Sequence, residues 1–321
     1  MADGGGCEQV GTMSVLRDLL DDYLTTRRAL GFMLAVPGRV LGEFVDFMDD
    51  AGETTIRHDL AVSWAARFSR GTVLARLNTV RQFAEHIASF DPATEVPVLD
   101  ERPYVNHRPR PHIYTSEQID ALLRAAGRLT PEVRAATWQT LLGLLAVTGL
   151  RISEARGLDD ADITSDEDGD GGWVRVTESK FGKSRIVPVH ATTMSAIGEY
   201  QRLRNKRFPA RRTEALFVTR RGDRLATSTC GQAFRQIRAL AGMTGTATEA
   251  AARLHDFRHS FATNTLIGHI RAGGDVEQMM PVLSAWLGHV SPVSTYWYLQ
   301  NTPELAAALG ARLPAIGGGD E

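Results

Sequence analysis

Apolar residues recur every three or four positions through most of the chain, which is the spacing of one buried face of an α-helix. In the first hundred residues this pattern predicts four or five helices. Its apolar positions are Val15, Leu19, Leu20, Tyr23, Val40, Leu41, Phe44, Val45 and Met48, followed by the stretches 60–68 and 74–87. We therefore expect a small helical domain over residues 13–100, after a flexible, Gly-rich start at 1–12.

Helical spacing resumes after residue 113. Thr115 precedes an apolar run with Gln118 three positions later, a capping-box pattern that marks a helix start. Between the two helical parts, residues 101–113 are rich in proline and lack periodicity, which predicts an extended linker. Further helix faces are marked by Trp138, Leu141, Leu142, Leu145, Met194, Ile197, Tyr200, Leu203, Phe234, Ile237 and Leu240.

The pattern changes between residues 160 and 189. An acidic, Gly-rich turn, SDEDGDGG, precedes two strand-like runs, WVRVTE and RIVPV, which are joined by SKFGKS. Two such runs around a Gly-containing loop predict a β-hairpin, with Lys180 and Lys183 at or beside its tip. The acidic turn could hold a cation, but its glycines and its place before a strand favour a solvated turn. The predicted fold class is mainly α with a small β-hairpin or sheet.

Charge divides the chain unevenly, although the 321 residues have an ordinary globular composition and a net charge of −2. Residues 1–100 carry nine Lys and Arg against fifteen Asp and Glu, whereas the remainder carries 27 against 23. The second part is therefore the better candidate for binding phosphates. A mixture of both signs is otherwise typical of a solvated surface.

Several classes of protein are excluded by what the sequence lacks. Cys7 and Cys230 stand too far apart, in unrelated contexts, to indicate a disulfide framework or a cysteine zinc site. No leader pattern begins the chain, and no apolar run approaches the ~20 residues that span a bilayer. The nucleotide loop GxxxxGK[ST] and the carboxylate cluster of two-metal nucleases are both missing. We expect a cytoplasmic protein with no membrane segment, no metal and no cofactor.

Four short motifs carry side chains suited to phosphate chemistry. They are TGLRISE with Arg151, LHDFRHSFAT with His255 and Arg258, LGH with His289, and STYWYLQ with Tyr298 nine residues later. Each motif alone has an ordinary explanation. Arg151 could simply pair with Glu154 at i,i+3 spacing. His259 could be a buried helix residue or, with His255 four positions before it, part of a metal site.

In combination, the order, spacing and context of these motifs resemble the tyrosine recombinase (phage integrase) family over roughly residues 114–305. The resemblance implies a catalytic domain over that range and a SAM-like core-binding domain over 13–100, which together form a C-shaped clamp around DNA, with a tail at 306–321. It implies a site-specific recombinase that cuts and rejoins duplex DNA through a 3′-phosphotyrosyl intermediate without metal or ATP. The implied partners are double-stranded DNA, other copies of the chain in a dimer to tetramer, and accessory recombinases.

The resemblance also implies a role for each side chain, and elementary chemistry agrees with these roles. Tyrosine has an unperturbed pKa of about 10, so Tyr298 needs help to act as the nucleophile. Arg151 and Arg258 suit the charge on a phosphate, because a guanidinium donates in a planar fork and stays charged. The remaining roles are His255 as base or acid, His289 as a stabilising donor, Lys180 or alternatively Lys183 as the acid for the leaving oxygen, and Glu154 as support for Arg151. Tyr298 is preferred to Tyr296 because of the nine-residue interval after His289.

Other residues are predicted to contact the DNA backbone outside the reacting step. They are Arg70, Arg76 and Arg81 in the acidic first domain, Arg108 and Arg110 in the linker, and Lys183 in the hairpin. The connection from Arg258 to His289 is about two helical turns longer than is usual in the family, and it resembles recombinases of transposable elements. Three alternatives stay open: a catalytically silent DNA-binding accessory protein, a type IB topoisomerase and a metal-dependent phosphohydrolase.

Overall fold

The computed structural model of this chain describes residues 15–98, 111–177, 184–243, 252–289, 295–296, 305 and 307. The chain divides into two compact units, residues 1–107 and 108–321. Both units are largely helical, and a three-stranded antiparallel sheet belongs to the second. The predicted fold class, mainly α with a small sheet, is confirmed.

The first unit consists of the helices that the apolar pattern predicts. They are α1 Val15–Ala29, α2 Ala35–Asp50, α3 His58–Ala66 and α4 Arg70–Ile87. Their apolar faces meet in one core, in which Phe44, Trp64 and Phe83 are at most 1% exposed. The aromatic rings of Phe44 and Trp64 pack edge to face with centroids 5.2 Å apart, so large side chains hold a small unit together.

The second unit is built around the buried helix α6. The helices with described bounds in this unit are α5 Ser116–Gly127, α6 Glu132–Thr148, α7 Ile152–Gly157, α8 Ala191–Arg207, α9 Thr227–Leu240, α10 Asp256–Arg271 and α11 Val276–Leu287. Trp138, Leu141 and Leu145 on α6 are at most 1% exposed. Thr115 and Gln118 form the predicted capping box at the start of α5. None of the described helices is long and apolar enough to cross a membrane.

The sheet has the order β1-β2-β3, with β1 Ile163–Ser165, β2 Gly171–Val176 and β3 Arg185–His190. The predicted hairpin strands are confirmed: Trp173 faces Pro188, and Val176 faces Arg185 across the ladder. The alternation of buried and exposed residues in β2 directs Val174 and Val176 into the core. The third strand, β1, escaped prediction because three residues give no alternation to detect. The hairpin tip, with Lys180 and Lys183, lies outside the described residues.

Helix α10 and the residues just before it contact Tyr114, near the start of the second unit, and α10 also packs against Leu305. The backbone N–H of Tyr114 donates to the Ser260 hydroxyl at 2.7 Å, and the Tyr114 hydroxyl donates to the Arg253 carbonyl at 3.0 Å. Leu305 is fully buried in a cluster shared with α10 and α11, which includes Leu266 and Leu287. These contacts fix the helix that carries His255 and Arg258.

A fully buried arginine joins α8 to the segment before β1. Arg204 donates two hydrogen bonds to the carboxylate of Asp160, both at 2.9 Å, and one to the Leu216 carbonyl at 2.6 Å. Arg211 pairs with the same carboxylate. Burial would raise the pKa of Asp160, but the hydrogen bonds from Arg204, Gln201 and Arg211 bring it below its ordinary value. A buried ion pair of this kind is costly to break from one side.

We predict that Asp160→Ala lowers the free energy of unfolding of the second unit by about 3 kcal/mol, because it leaves the Arg204 guanidinium buried without its carboxylate. Arg175→Gln is the matched control, since Arg175 is more than half exposed where it pairs with Asp162 at 3.2 Å, and such pairs contribute less than about 1 kcal/mol. Hydrogen exchange of the full chain in urea measures the free energy of unfolding of the second unit separately from that of the first. Equal effects of the two substitutions would contradict the assignment.

Candidate active site

The turn between α6 and α7 places Arg151 at the N-cap of α7. Gly149 ends α6 with a φ of 62°, and a Cβ there would lie 2.5 Å from the ring of Phe261, so the turn requires glycine. The Arg151 backbone N–H donates to one oxygen of the Glu154 carboxylate at 2.9 Å, and its guanidinium donates to the other at 2.8 Å. Glu154 thus fixes both the backbone and the side chain of Arg151.

Arg258 on α10 connects this turn to the end of α11. Its side chain is 1% exposed. One terminal nitrogen donates to the carbonyl of Gly149 at 3.0 Å, and the other donates to the carbonyl of Leu287 at 2.6 Å. These two carbonyls fix the plane of the guanidinium and lie two residues before Arg151 and two residues before His289.

His289 follows the glycine that ends α11. Gly288 has a φ of 66°, and the indole N–H of Trp286 donates to the Thr148 carbonyl at 2.9 Å. The Nδ1 atom of His289 shares a hydrogen bond of 2.7 Å with the hydroxyl of Thr295, which is fully buried. The turn after α11 is therefore tied both to the turn after α6 and to the segment at Thr295.

Arg185, at the start of β3, is a site residue that the sequence did not single out. Its Nη1 and Nη2 atoms donate to the two oxygens of Glu154 at 3.1 and 2.8 Å, and its Nε donates to the Trp286 carbonyl at 2.7 Å. A Cβ on Gly288 would lie 2.8 Å from this guanidinium. The signal in the sequence was an arginine two positions after Lys183, but its partners are 31 and 101 positions away.

The Glu154 carboxylate is shared by Arg151 and Arg185 and is 5% exposed. Burial alone would raise its pKa, but the hydrogen bonds and positive charges of the two arginines lower the pKa of Glu154 to about 2. It therefore stays ionised throughout the neutral range. A carboxylate that is always charged is a constant anchor for both guanidiniums.

The site histidines are neutral near pH 7. Burial first, and then the positive charges of Arg258, Arg151 and Arg185, lower the pKa of His289 to about 4. The side chain of His255 reaches solvent, yet partial desolvation and the charge of Arg258 also lower its pKa. Arg258 and Arg151 act on both imidazoles, so these residues belong to one electrostatic environment.

The structure thus brings together four of the residues singled out from the sequence, Arg151, Glu154, Arg258 and His289, with His255 one turn before Arg258. Tyr298, Lys180 and Lys183 lie outside the described residues, as do Arg108 and Arg110. Tyr296, the alternative nucleophile, is described and is 45% exposed.

A metal site formed by His255 and His259 has little support from their geometry. The ring centroids of His255 and His259 are 4.9 Å apart and the rings are nearly perpendicular. Over the described ranges, no group of three or more His, Cys, Asp or Glu side chains is arranged to hold a metal ion. Burial, followed by the charge on His255, lowers the pKa of His259 to about 4.

In the first unit, two of the arginines predicted to contact DNA, Arg76 and Arg81, already have acidic partners, whereas the side chain of Arg70 lies outside the described residues. Arg76 pairs with Glu43 at 2.7 Å and lies over the ring of Phe68 at 3.5 Å. Arg81 pairs with Glu85 at 2.9 Å and is 39% exposed. A phosphate that binds either guanidinium would compete with a carboxylate.

The comparisons with known proteins agree with this geometry. The sequence model of the phage integrase family matches residues 113–304. The chain is 37% identical over 310 residues to a candidate integrase/recombinase, y4rB, of Sinorhizobium fredii (strain NBRC 101917 / NGR234), covering 94% of this chain and 98% of that protein. It is 34% identical over 220 residues to the tyrosine recombinase XerD of Mycobacterium tuberculosis (strain CDC 1551 / Oshkosh), covering 67% of this chain and 63% of that protein.

Solved structures of recombinases share the fold. The Tn1549 transposon integrase in complex with transposon right end DNA matches with a TM-score of 0.60 and 19% identity, over 94% of this chain and 100% of that one. The XerH site-specific recombinase bound to palindromic difH substrate matches with a TM-score of 0.61 and 19% identity, over 86% of this chain and 78% of that one. The family match, the relatives and the shared fold agree, and the chain belongs to the phage integrase family of tyrosine recombinases.

Proposed function

We propose that this chain is a site-specific recombinase that cuts and rejoins duplex DNA through a 3′-phosphotyrosyl intermediate, with Tyr298 as the nucleophile. The observation that carries the proposal is the junction of two turns and a strand, where Arg258 and Arg185 tie the positions of Arg151 and His289 to each other. DNA as the partner is supported by the Tn1549 integrase and XerH structures, both of which are complexes with DNA.

We assign the stabilisation of phosphate charge to Arg151 and Arg258. Attack on phosphorus concentrates negative charge on the non-bridging oxygens, and fixed guanidiniums donate to such oxygens without losing their own charge. His289 adds a neutral donor. Glu154 and Arg185 act as positioning residues, because their hydrogen bonds hold Arg151 and the turn before His289.

The proton transfers follow from the bonds that change. Tyr298 loses its hydroxyl proton to His255 as its oxygen bonds to phosphorus, while the 5′-oxygen leaves with the electron pair of the broken bond. Lys180, or alternatively Lys183, gives that oxygen a proton. Attack by a 5′-hydroxyl then reverses these steps and releases Tyr298. One phosphate ester replaces another at each step, so rejoining needs neither ATP nor a metal.

We assign the two units to the two halves of a DNA clamp. Residues 13–100 are the core-binding domain and residues 114–305 the catalytic domain, with the linker 101–113 between them and the tail 306–321 after them. The proposed backbone contacts are those of Arg70, Arg76, Arg81, Arg108, Arg110 and Lys183. Recombination requires paired sites, so we propose that a dimer to tetramer assembles on DNA, with accessory recombinases as further partners.

We predict that the protein forms a covalent adduct, stable in detergent, with nicked duplexes tiled across the DNA that flanks its gene. Tyr298→Phe should abolish the adduct because it removes the oxygen that bonds to phosphorus. Tyr296→Phe is the matched control and should retain it. Gel electrophoresis of labelled DNA measures the adduct. Loss of the adduct in the control alone would move the nucleophile to Tyr296, and no adduct with any duplex would favour the catalytically silent accessory protein.

We predict that Arg185→Gln slows adduct formation roughly 10- to 100-fold, because small displacements of catalytic groups have effects of that size. The affinity for DNA should change much less. Arg175→Gln on the neighbouring strand is the control and should retain the wild-type rate.

A double variant distinguishes a positioning role of Arg185 from general damage to the fold. If Arg185 acts through Glu154, the effects of Arg185→Gln and Glu154→Gln on the rate should not add. Single-turnover adduct formation measures all four rates. Additive effects, or an unchanged rate in Arg185→Gln, would contradict the positioning role.

We predict that His289 titrates near pH 4 in the DNA-free protein, well below the model-peptide value of 6.5. The unfolded chain takes up this proton first, so the contribution of His289 to stability is present above pH 6.5 and is lost as the pH falls towards 4. Nuclear magnetic resonance of the imidazole measures the titration, with His289→Gln to assign the signal. A midpoint near 6.5 would contradict the burial and the charges described above.

A further inference from the structure

The segment from Glu199 to Arg224 is strongly basic. It contains nine Lys and Arg against three Asp and Glu, a net charge of +6 within a chain whose total is −2. Like charges so close together repel one another unless an anionic partner or counterions screen them. The catalytic roles proposed above use none of these side chains.

Three of the nine cations hold the segment in place. Arg204 and Arg211 bind the Asp160 carboxylate. Arg224 pairs with Asp159. All three are therefore partnered by the two carboxylates of the preceding segment.

The other six cations are all exposed, and we call them the basic surface. They are Arg202, Lys206, Arg207, Arg212, Arg220 and Arg221. None of the six has a carboxylate oxygen within 4.0 Å among the residues that the structure describes. Their positive charge is therefore available to a partner.

Two parts of the basic surface converge at the end of α8. A Cβ on Gly222, which has a φ of 90°, would lie 3.2 Å from the ring of Phe208, so the turn at 219–222 packs against the residue that follows the helix. The Gly222 N–H donates to the Thr219 carbonyl at 3.0 Å. Arg220 and Arg221 are thus the two corner residues of a tight turn that is fixed beside the basic end of α8.

The basic surface has a defined position relative to the active site. Arg224 donates to the carbonyls of Arg156, Gly157 and Leu158 at 3.2, 2.7 and 3.3 Å, and so caps the C-terminal end of α7. Arg151 lies at the other end of this helix, which has six residues and is about 9 Å long. A polyanion held at Arg151 can span the length of α7 towards the segment that carries the basic surface, whereas a single small anion cannot.

The composition of the basic surface favours a phosphate backbone over a protein partner. Five of its six cations are arginines, whose planar fork fits phosphate oxygens. Protein interfaces have large apolar anchors at their centre. Within 199–224, no large hydrophobic residue is among the exposed ones. Charge alone is what a nucleic-acid backbone requires.

We propose that the basic surface binds the phosphate backbone of duplex DNA at a distance from the phosphate that is cut. This inference rests on the proposed function, since it assumes that the same duplex occupies the active site. The contact is independent of base sequence, because these side chains bind phosphates, which are the same in every DNA sequence.

The test measures how the affinity of the full chain for a duplex of random sequence depends on salt, by fluorescence anisotropy. Each phosphate contact adds roughly 0.9 to the slope of log affinity against log salt. Arg220→Gln with Arg221→Gln should therefore reduce the slope by about 2 and weaken binding at low salt roughly tenfold or more. Arg220→Lys with Arg221→Lys retains the charge and should retain the slope.

The matched control is Arg124→Gln with Arg128→Gln on α5, two exposed arginines outside the basic surface. Its slope should equal that of the wild type. The proposal is overturned if Arg220→Gln with Arg221→Gln has the wild-type slope. It is also overturned if that double substitution changes only the sedimentation of the DNA-free protein, because this would indicate a protein partner. If the wild-type protein binds no DNA, the proposed function itself is contradicted.

Discussion

One buried guanidinium, that of Arg258, is the contact on which the arrangement of the candidate site depends. It donates to carbonyls at the ends of α6 and α11, so a single side chain sets the distance between two turns. Arg151 follows one turn and His289 follows the other. A helix end leaves its carbonyls without partners in the helix, and a fixed guanidinium is well suited to bind two of them at once.

The second constraint is the carboxylate of Glu154, which serves two arginines that come from different elements. Arg151 belongs to the turn before α7, and Arg185 belongs to β3. Because the pKa of Glu154 is lowered to about 2, this link persists over the whole neutral range. Through Arg185 the sheet is joined to the carbonyl of Trp286, so the strand that follows the hairpin lysines is held against the turn that precedes His289.

Much of the fold follows from periodicity in the sequence. The helices of the first unit, the capping box at Thr115 and the strands of the hairpin are predicted because each depends on residues a few positions apart. Arg185 and β1 are not predicted, for two different reasons. The partners of Arg185 are far away in the sequence, and β1 is too short to show a pattern. Arg204 was likewise one arginine in a basic stretch until its burial against Asp160 distinguished it from its exposed neighbours.

The central claim is that side chains from four separate sequence motifs act on one phosphate, and the most direct measurement is a crystal structure of the protein with a nicked duplex and vanadate in place of the scissile phosphate. The account predicts that Arg151, Arg258 and His289 lie within hydrogen-bonding distance, about 3 Å, of the vanadate oxygens, with the Tyr298 oxygen bonded to vanadium. Vanadate bound away from these three side chains, or ligated by a different tyrosine, would contradict it.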